Sequence, residues 1–162
     1  MKKSLLMWVT MQQFDKSIIV ILPIVIYLFS FLTLLYNEDF YNSLFVKTNV
    51  DISQAKELTK DLFDYFKNNN YAAPKIKTLA DNENSHIRDV KILLTASVII
   101  FLFLLWFVIT KLSVAEQKGR LLLFGSLLAL FFPVLFFLFD FSSLFTVFHW
   151  IFFPQGNWWF PP

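Results

Sequence analysis

The 162-residue chain contains two histidines, His86 and His149, and no cysteine. The absence of thiols removes disulfides, thiolate metal sites and every Cys-nucleophile mechanism. Imidazoles with nearby carboxylates are what remain for proton chemistry. His86 lies in Asn82-Glu83-Asn84-Ser85-His86-Ile87-Arg88-Asp89-Val90. On a helix, Glu83, His86 and Asp89 would fall at i, i+3 and i+6, along one side. A carboxylate there raises the imidazole's proton affinity and fixes its tautomer. Asp89 can orient His86 or pair with Arg88 or Lys91; Arg88 points elsewhere, toward a phosphate headgroup. His149 lies in Phe148-His149-Trp150-Ile151-Phe152-Phe153-Pro154-Gln155-Gly156-Asn157-Trp158-Trp159-Phe160. There Pro154 and Gly156 break the helix and Asn157 suits a turn. Asp140 is off His149's helical face, but a carboxylate among phenylalanines is expensive, which predicts a functional or bundle-organising role.

Other chemistries lack their motifs. There is no HExxH, no GxSxG and no glycine-rich phosphate loop. The histidines with Glu83, Asp89 or Asp140 match no familiar metal spacing, so neither metal nor cofactor is expected. A metal-dependent lipid hydrolase stays as an alternative that would need a third ligand converging on both imidazoles. No Arg-rich sensor, charged pore stripe or internal repeat points to a channel or transporter.

The elements that must carry these residues belong in a membrane. Hydrophobic residues make up 57% of the chain, aromatic residues 20% and charged residues 16%, with 22 phenylalanines. A soluble domain carries about 25% charged residues. The net charge of +2 is too small to predict a nucleic-acid partner. At about 1.5 Å rise per residue, about 20 residues cross the hydrocarbon core. Three apolar runs qualify: Ser17–Tyr36, Ile92–Thr110 and Leu121 to about Phe148, the last interrupted by Asp140 alone. No period-two alternation supports strands. The expected fold is an all-α integral membrane protein, one membrane domain over residues 1–162 with three transmembrane helices. Pro23 would kink the first span, which reads as a retained signal anchor because no small-x-small cleavage site follows it. Lys2, Lys3 and Lys16, then Lys111, Lys118 and Arg120, put the N-terminus and the second hinge in the cytoplasm. Residues 37–90 and 149–162 then lie outside. Both histidines fall at the outer interface, where packing of spans two and three would bring them together.

The outer loop has its own order. Asp51 with Gln54 reads as a weak capping box. Ala55, Leu58, Leu62 and Phe66 recur at helical spacing, widened by Ile52, Phe63 and Tyr65, until Asn68-Asn69-Asn70. This predicts an amphipathic helix on the outer leaflet or capping the bundle. Phe40, Tyr41, Leu44 and Phe45 suggest an interfacial turn before it, and Tyr71 to Ala80, with Pro74, a loop after it.

Glu83-x-x-His86-x-x-Asp89-Val90 before a membrane helix, and Phe148-His149 followed by Phe152-Phe153-x-x-Gly156-x-Trp158, resemble the lipoprotein intramolecular transacylase (Lit) family of bacterial integral membrane proteins. The resemblance runs from the first span to Phe160. It implies transfer of the sn-2 acyl chain of a diacylglyceryl-cysteine lipoprotein to its own α-amine, giving a lyso-form lipoprotein. The implied partners are that diacylated, phospholipid-like substrate and the membrane lipids. It implies His86 and His149 as the catalytic pair. Provisionally, His86 deprotonates the amine, and His149 stabilises the oxyanion or protonates the leaving glycerol oxygen. Glu83 and Asp89 would tune His86, with Arg88 and Asp140 supporting, and Phe153, Gly156 and Trp158 would meet the substrate. The family pattern also implies a further membrane helix beyond the Trp motif, whereas this sequence ends at Pro162. Against this stand blander readings: wetted interfacial histidines, an aromatic belt around Trp158 and a non-catalytic membrane scaffold.

Overall fold

The computed structural model describes residues 2–48 and 51–159. Phe160, Pro161 and Pro162, where the family resemblance and the sequence end, lie outside the described residues. All regular structure among the described residues is helical: α1 (Lys2–Leu35), α2 (Glu38–Thr48), α3 (Ile52–Lys67), α4 (Asp81–Val114), α5 (Lys118–Leu138) and α6 (Phe141–Phe152). Two of these are long and apolar enough to cross a membrane, α1 over Lys16–Leu35 and α4.

The apolar run expected as one third span is two helices. Phe139 is extended, with φ −122° and ψ 141°, and ends α5. Asp140 then stands immediately before the first residue of α6. Asp is favoured at that position because a carboxylate accepts from the free N–H groups of the first turn. Ser142 and Ser143 follow it, so polarity at this point marks a helix start within a hydrophobic run. Asp140 is exposed.

The chain forms two compact units. One comprises residues 1–31 and 98–141. Ile18, Ala115 and Leu121 are its buried cluster, with Ile19 and Leu112 packed against it. The hinge between α4 and α5 closes on Ala115, whose N–H donates to the Lys111 carbonyl at 3.1 Å. A Cβ on Gly125 would come within 2.8 Å of Leu22 Cδ2. One turn on, the Tyr27 hydroxyl donates to the Ala129 carbonyl. Gly125 and Ala129 are a small-xxx-small pair, the pattern by which apolar helices approach closely where lipid supplies no hydrophobic drive.

The other unit comprises residues 32–97 and 142–162 and carries both histidines. Its α3 begins as the sequence requires: Asp51 accepts from the Ser53 N–H at 2.9 Å and the Gln54 N–H at 3.4 Å. The side chains of Phe63 and Tyr65 are buried. The expected interfacial turn is a full helix, α2, entered through Asn37, whose Oδ1 accepts from the Phe40 N–H at 3.0 Å. Tyr41 packs edge-on against Phe63, centroids 5.6 Å apart. Residues 71–80 are non-helical.

Two side chains of α4 fasten this loop and the end of α3 before it. Asn84 is buried; its Oδ1 accepts from the Ile76 N–H at 3.1 Å, and its Nδ2 lies 3.0 Å from the Leu79 carbonyl and 3.1 Å from that of Ala80. Lys91 is 2% exposed. Its ammonium donates to the carbonyls of Tyr65 (2.6 Å), Asn68 (2.7 Å) and Asn70 (2.8 Å) and to Asn68 Oδ1 (2.8 Å). Three of these acceptors belong to the end of α3 and its C-cap, where the helix presents unsatisfied carbonyls and partial negative charge. The Tyr65 and Tyr71 rings face the same ammonium, at 4.3 and 4.9 Å.

Candidate active site

His86 sits in the second turn of α4, N-terminal to the uncharged run that begins at Ile92, and His149 in the last turn of α6. Their ring centroids are 5.8 Å apart. Phe153 lies against both: its ring meets His86 edge-on at 4.6 Å and His149 at 5.4 Å. It is 2% exposed, and its N–H returns to the His149 carbonyl at 2.7 Å, which ends α6 beside the imidazoles. Trp158 is buried too, with its ring 4.9 Å from that of His149 and its indole N–H donated to the Phe153 carbonyl at 3.1 Å. Aromatic rings thus wall the pair, which weakens competition from water for its hydrogen bonds.

The turn at 154–157 makes this possible. Gly156 has φ +74°, the left-handed region that costs a residue with a Cβ about 1–2 kcal/mol. Its N–H donates to the Phe153 carbonyl at 3.1 Å. The reversal carries Gln155 and Asn157 back to α4, where both donate to Asp89 Oδ2 at 2.7 Å. Asp89 Oδ1 accepts from Arg88 Nε and an Arg88 terminal nitrogen at 3.1 and 3.0 Å. Of the partners open to Asp89, the structure selects Arg88 and adds two amides from the C-terminal turn.

Charges follow this arrangement. Burial pushes the His86 imidazole below its ordinary value; its contact with Asn157 and the charge of Asp89 pull it up, and His149 pushes it down. Burial works to raise the Asp89 carboxyl, yet the hydrogen bonds from Asn157, Arg88 and Gln155, with the Arg88 charge, hold it below its ordinary value. His149 is 8% exposed, and its Nδ1 is 2.8 Å from the Phe145 carbonyl oxygen.

The other expected residues take distinct places. Glu83 reaches back to the Ala80 N–H at 2.6 Å, the reciprocal half of a capping box at the start of α4. Asp140 stands at the α5–α6 break, in the compact unit without the histidines. Phe153 and Trp158 pack on the imidazoles, and Gly156 shapes the turn. Asn157, Gln155, Asn84 and Lys91 were not singled out as site residues. An amide in a turn or a lysine flanking an apolar run carries no period or motif that announces its partner. Among the described residues, no group of three His, Asp or Glu side chains is arranged to hold a metal ion. A cavity of about 600 Å³ lies between α3 and the loop at 74–78; Asp61, Asp64, Lys75 and Lys77 line it, and the histidines do not.

Fold and site together define an all-helical, membrane-type protein with paired imidazoles enclosed by aromatic rings. The family model for the lipoprotein intramolecular transacylase Lit matches residues 13–162. The chain therefore belongs to the lipoprotein intramolecular transacylase family, and its class is that of an enzyme. No curated protein and no solved structure matches it.

Proposed function

We propose that this chain transfers the sn-2 acyl group of a diacylglyceryl-cysteine lipoprotein to the α-amine of that cysteine, with His86 and His149 moving the protons at the outer leaflet. The observation that carries this is the meeting of the two imidazoles, 5.8 Å apart and supplied by different helices. Family membership supports the substrate class. The amine nitrogen attacks the ester carbonyl; the C–N bond forms, the C–O bond to glycerol breaks, and the proton lost from nitrogen ends on the glycerol oxygen. No water is consumed and no enzyme nucleophile is needed. Amine and ester share one molecule, so holding them in attack geometry supplies a large part of the acceleration.

The Phe145 carbonyl can only accept, so Nδ1 of His149 carries hydrogen and Nε2 keeps its lone pair. His149 is thus the better acceptor of the amine proton, the reverse of the provisional order. His86, disposed by burial against holding positive charge, then takes that proton over from His149 and passes it to the glycerol oxygen, so that both imidazoles end neutral. Exposed Phe145, Phe148 and Phe152 on α6 offer an apolar surface along which acyl chains reach His149. Arg88, 42% exposed, suits a substrate carbonyl or a headgroup phosphate. The membrane reading has three crossings, by α1, α4 and α5, with the N-terminus cytoplasmic and the histidines extracytoplasmic.

The test is conversion of a synthetic diacylglyceryl-cysteine peptide by the purified protein in detergent. The reaction is an isomerisation and leaves mass unchanged, so tandem fragmentation must locate the acyl group. The expected product is the N-acyl, mono-O-acyl peptide, and a peptide with an acetylated α-amine should remain unconverted. Equal conversion of the acetylated peptide, or release of free fatty acid instead, would overturn the reading.

A further inference from the structure

Asp89 stands one helical turn beyond His86 on α4, the spacing at which a carboxylate reads as the histidine's own partner. Its oxygens are committed elsewhere. Oδ1 accepts from Arg88 Nε at 3.1 Å and from an Arg88 terminal nitrogen at 3.0 Å. Oδ2 accepts from Gln155 and Asn157, each at 2.7 Å. A carboxylate offers about four lone-pair sites, so four N–H donors fill it. The Asp89 side chain is 15% exposed, which limits competition from water, and hydrogen bonds to an ionised acceptor are the strong kind. The Arg88 fork fixes the carboxylate from one side; the amides that meet its other side arrive from residues 66 and 68 positions further along the chain.

Those two amides sit between the rings that enclose the imidazoles. Phe153, two residues before Gln155, lies against both His86 and His149. Trp158 follows Asn157 directly; its ring packs on His149 at 4.9 Å and its indole N–H is donated to the Phe153 carbonyl. The Phe153 N–H in turn reaches the His149 carbonyl. A continuous path therefore runs from carboxylate to amides, turn, aromatic rings and His149. We propose that Asp89 is a positioning residue for the imidazole pair that acts through the C-terminal turn: by holding Gln155 and Asn157 it sets where His149, on α6, stands relative to His86, on α4. This rests on the transacylase reading above. It differs from a carboxylate that serves His86 directly, because removing the amides should then matter as much as removing the acid.

The test compares wild type, Asp89→Ala, Gln155→Ala/Asn157→Ala and the triple variant, all as full-length protein in detergent. Readouts are kcat and KM on the diacylglyceryl-cysteine peptide, thermal unfolding, and the NMR shifts of the His149 ring protons, which the Trp158 and Phe145 rings displace. Asp89→Ala should lower kcat about 100-fold, the cost of misplacing a catalytic group by about an ångström, with KM within about threefold. The amide pair should match that loss, and the triple variant should lose less than about threefold more, because residues acting through one contact are not additive. The His149 ring shifts should move in all three. A carboxylate that only stabilised the fold would leave kcat and these shifts at wild-type values well below the unfolding temperature, and that result would overturn the proposal. So would a further 100-fold loss when Asp89→Ala is added to the amide pair, which would make Asp89 a direct partner of His86. Should Asp89→Ala not fold, the amide pair, which keeps the Arg88–Asp89 contact, decides by the same kcat and shift criteria. Should wild type not convert the peptide, the transacylase reading fails, and the His149 shifts still decide whether Asp89 positions that ring.

Discussion

His149 directs Nδ1 at the carbonyl oxygen of Phe145, 2.8 Å away and one turn back on its own helix. Because the oxygen can only accept, this hydrogen bond fixes which nitrogen of the neutral ring carries hydrogen and leaves Nε2 basic. The Phe145 ring also packs against the same imidazole, tilted by 35°, with centroids 3.9 Å apart. A residue chosen by the sequence for its apolar side chain thus acts on the site through its backbone. Replacing Phe145 by Leu keeps that carbonyl and should preserve the tautomer. Nitrogen-15 shifts of His149 should show hydrogen on Nδ1 in both wild type and Phe145→Leu; hydrogen on Nε2 in the wild type would reverse the assignment of the base.

His86 should titrate below 6.5, the ordinary value for histidine, because burial outweighs Asn157 and Asp89. As pH falls, the unfolded chain then takes up this proton before the folded one. Stability attributable to His86 is therefore full above 6.5 and is lost as pH drops from there toward the folded value. Asp89→Asn removes a charge that favours imidazolium and should move His86 further down. An NMR titration of the two histidines, assigned with His149→Gln, reads both effects; an unshifted His86 in wild type would contradict the burial argument.

Lys91→Met removes the ammonium that four oxygens of Tyr65, Asn68 and Asn70 share and leaves the buried Tyr65 carbonyl without that donor. Hydrogen bonds to charged groups contribute about 1.5–3 kcal/mol each, so a loss of several kcal/mol is expected in the unit that carries the histidines. Thermal unfolding and proteolysis at Lys75 and Lys77 should both report it: an unfolding temperature lower by about 10 °C or more, and faster cleavage. An unchanged unfolding temperature would show that the Lys91 ammonium does not stabilise the end of α3.

Gly156→Ala asks a residue with a Cβ to adopt φ +74°. No atom would obstruct that Cβ within 4 Å, so the penalty is one of conformation, about 1–2 kcal/mol. Activity should fall several-fold as Gln155 and Asn157 lose their grip on Asp89. Asn at the same position tolerates the left-handed region better and should recover part of the loss. Equal loss with Ala and Asn would point away from backbone conformation.

Much of this was written in local patterns. The capping pattern at Asp51 and the apolar stripe through Leu62 specify α3 to its first residue. The carboxylate-imidazole spacing around His86 continues unbroken into the apolar run of α4. Two of the polar residues that stand out in the sequence also do local structural work. Glu83 caps the start of α4, and Asp140 stands at the start of α6, dividing a run whose hydropathy alone reads as one span. Arg88 is legible as a partner of Asp89, but its two amide partners and the acceptors of Lys91 are not, because they come from the C-terminal turn and the end of α3, groups whose positions only the folded chain defines. The tautomer of His149 is not legible either, since it depends on a backbone oxygen.

The central claim is that the two imidazoles work as a pair. The most direct test is tandem mass spectrometry of a diacylglyceryl-cysteine peptide incubated with equal amounts of wild-type, His86→Ala and His149→Ala protein, each checked for unchanged thermal unfolding. The pair predicts N-acylated peptide from the wild type and a rate lower by a factor of about 100 to 10,000 in either variant. Wild-type rates of N-acylation from either single variant would contradict it.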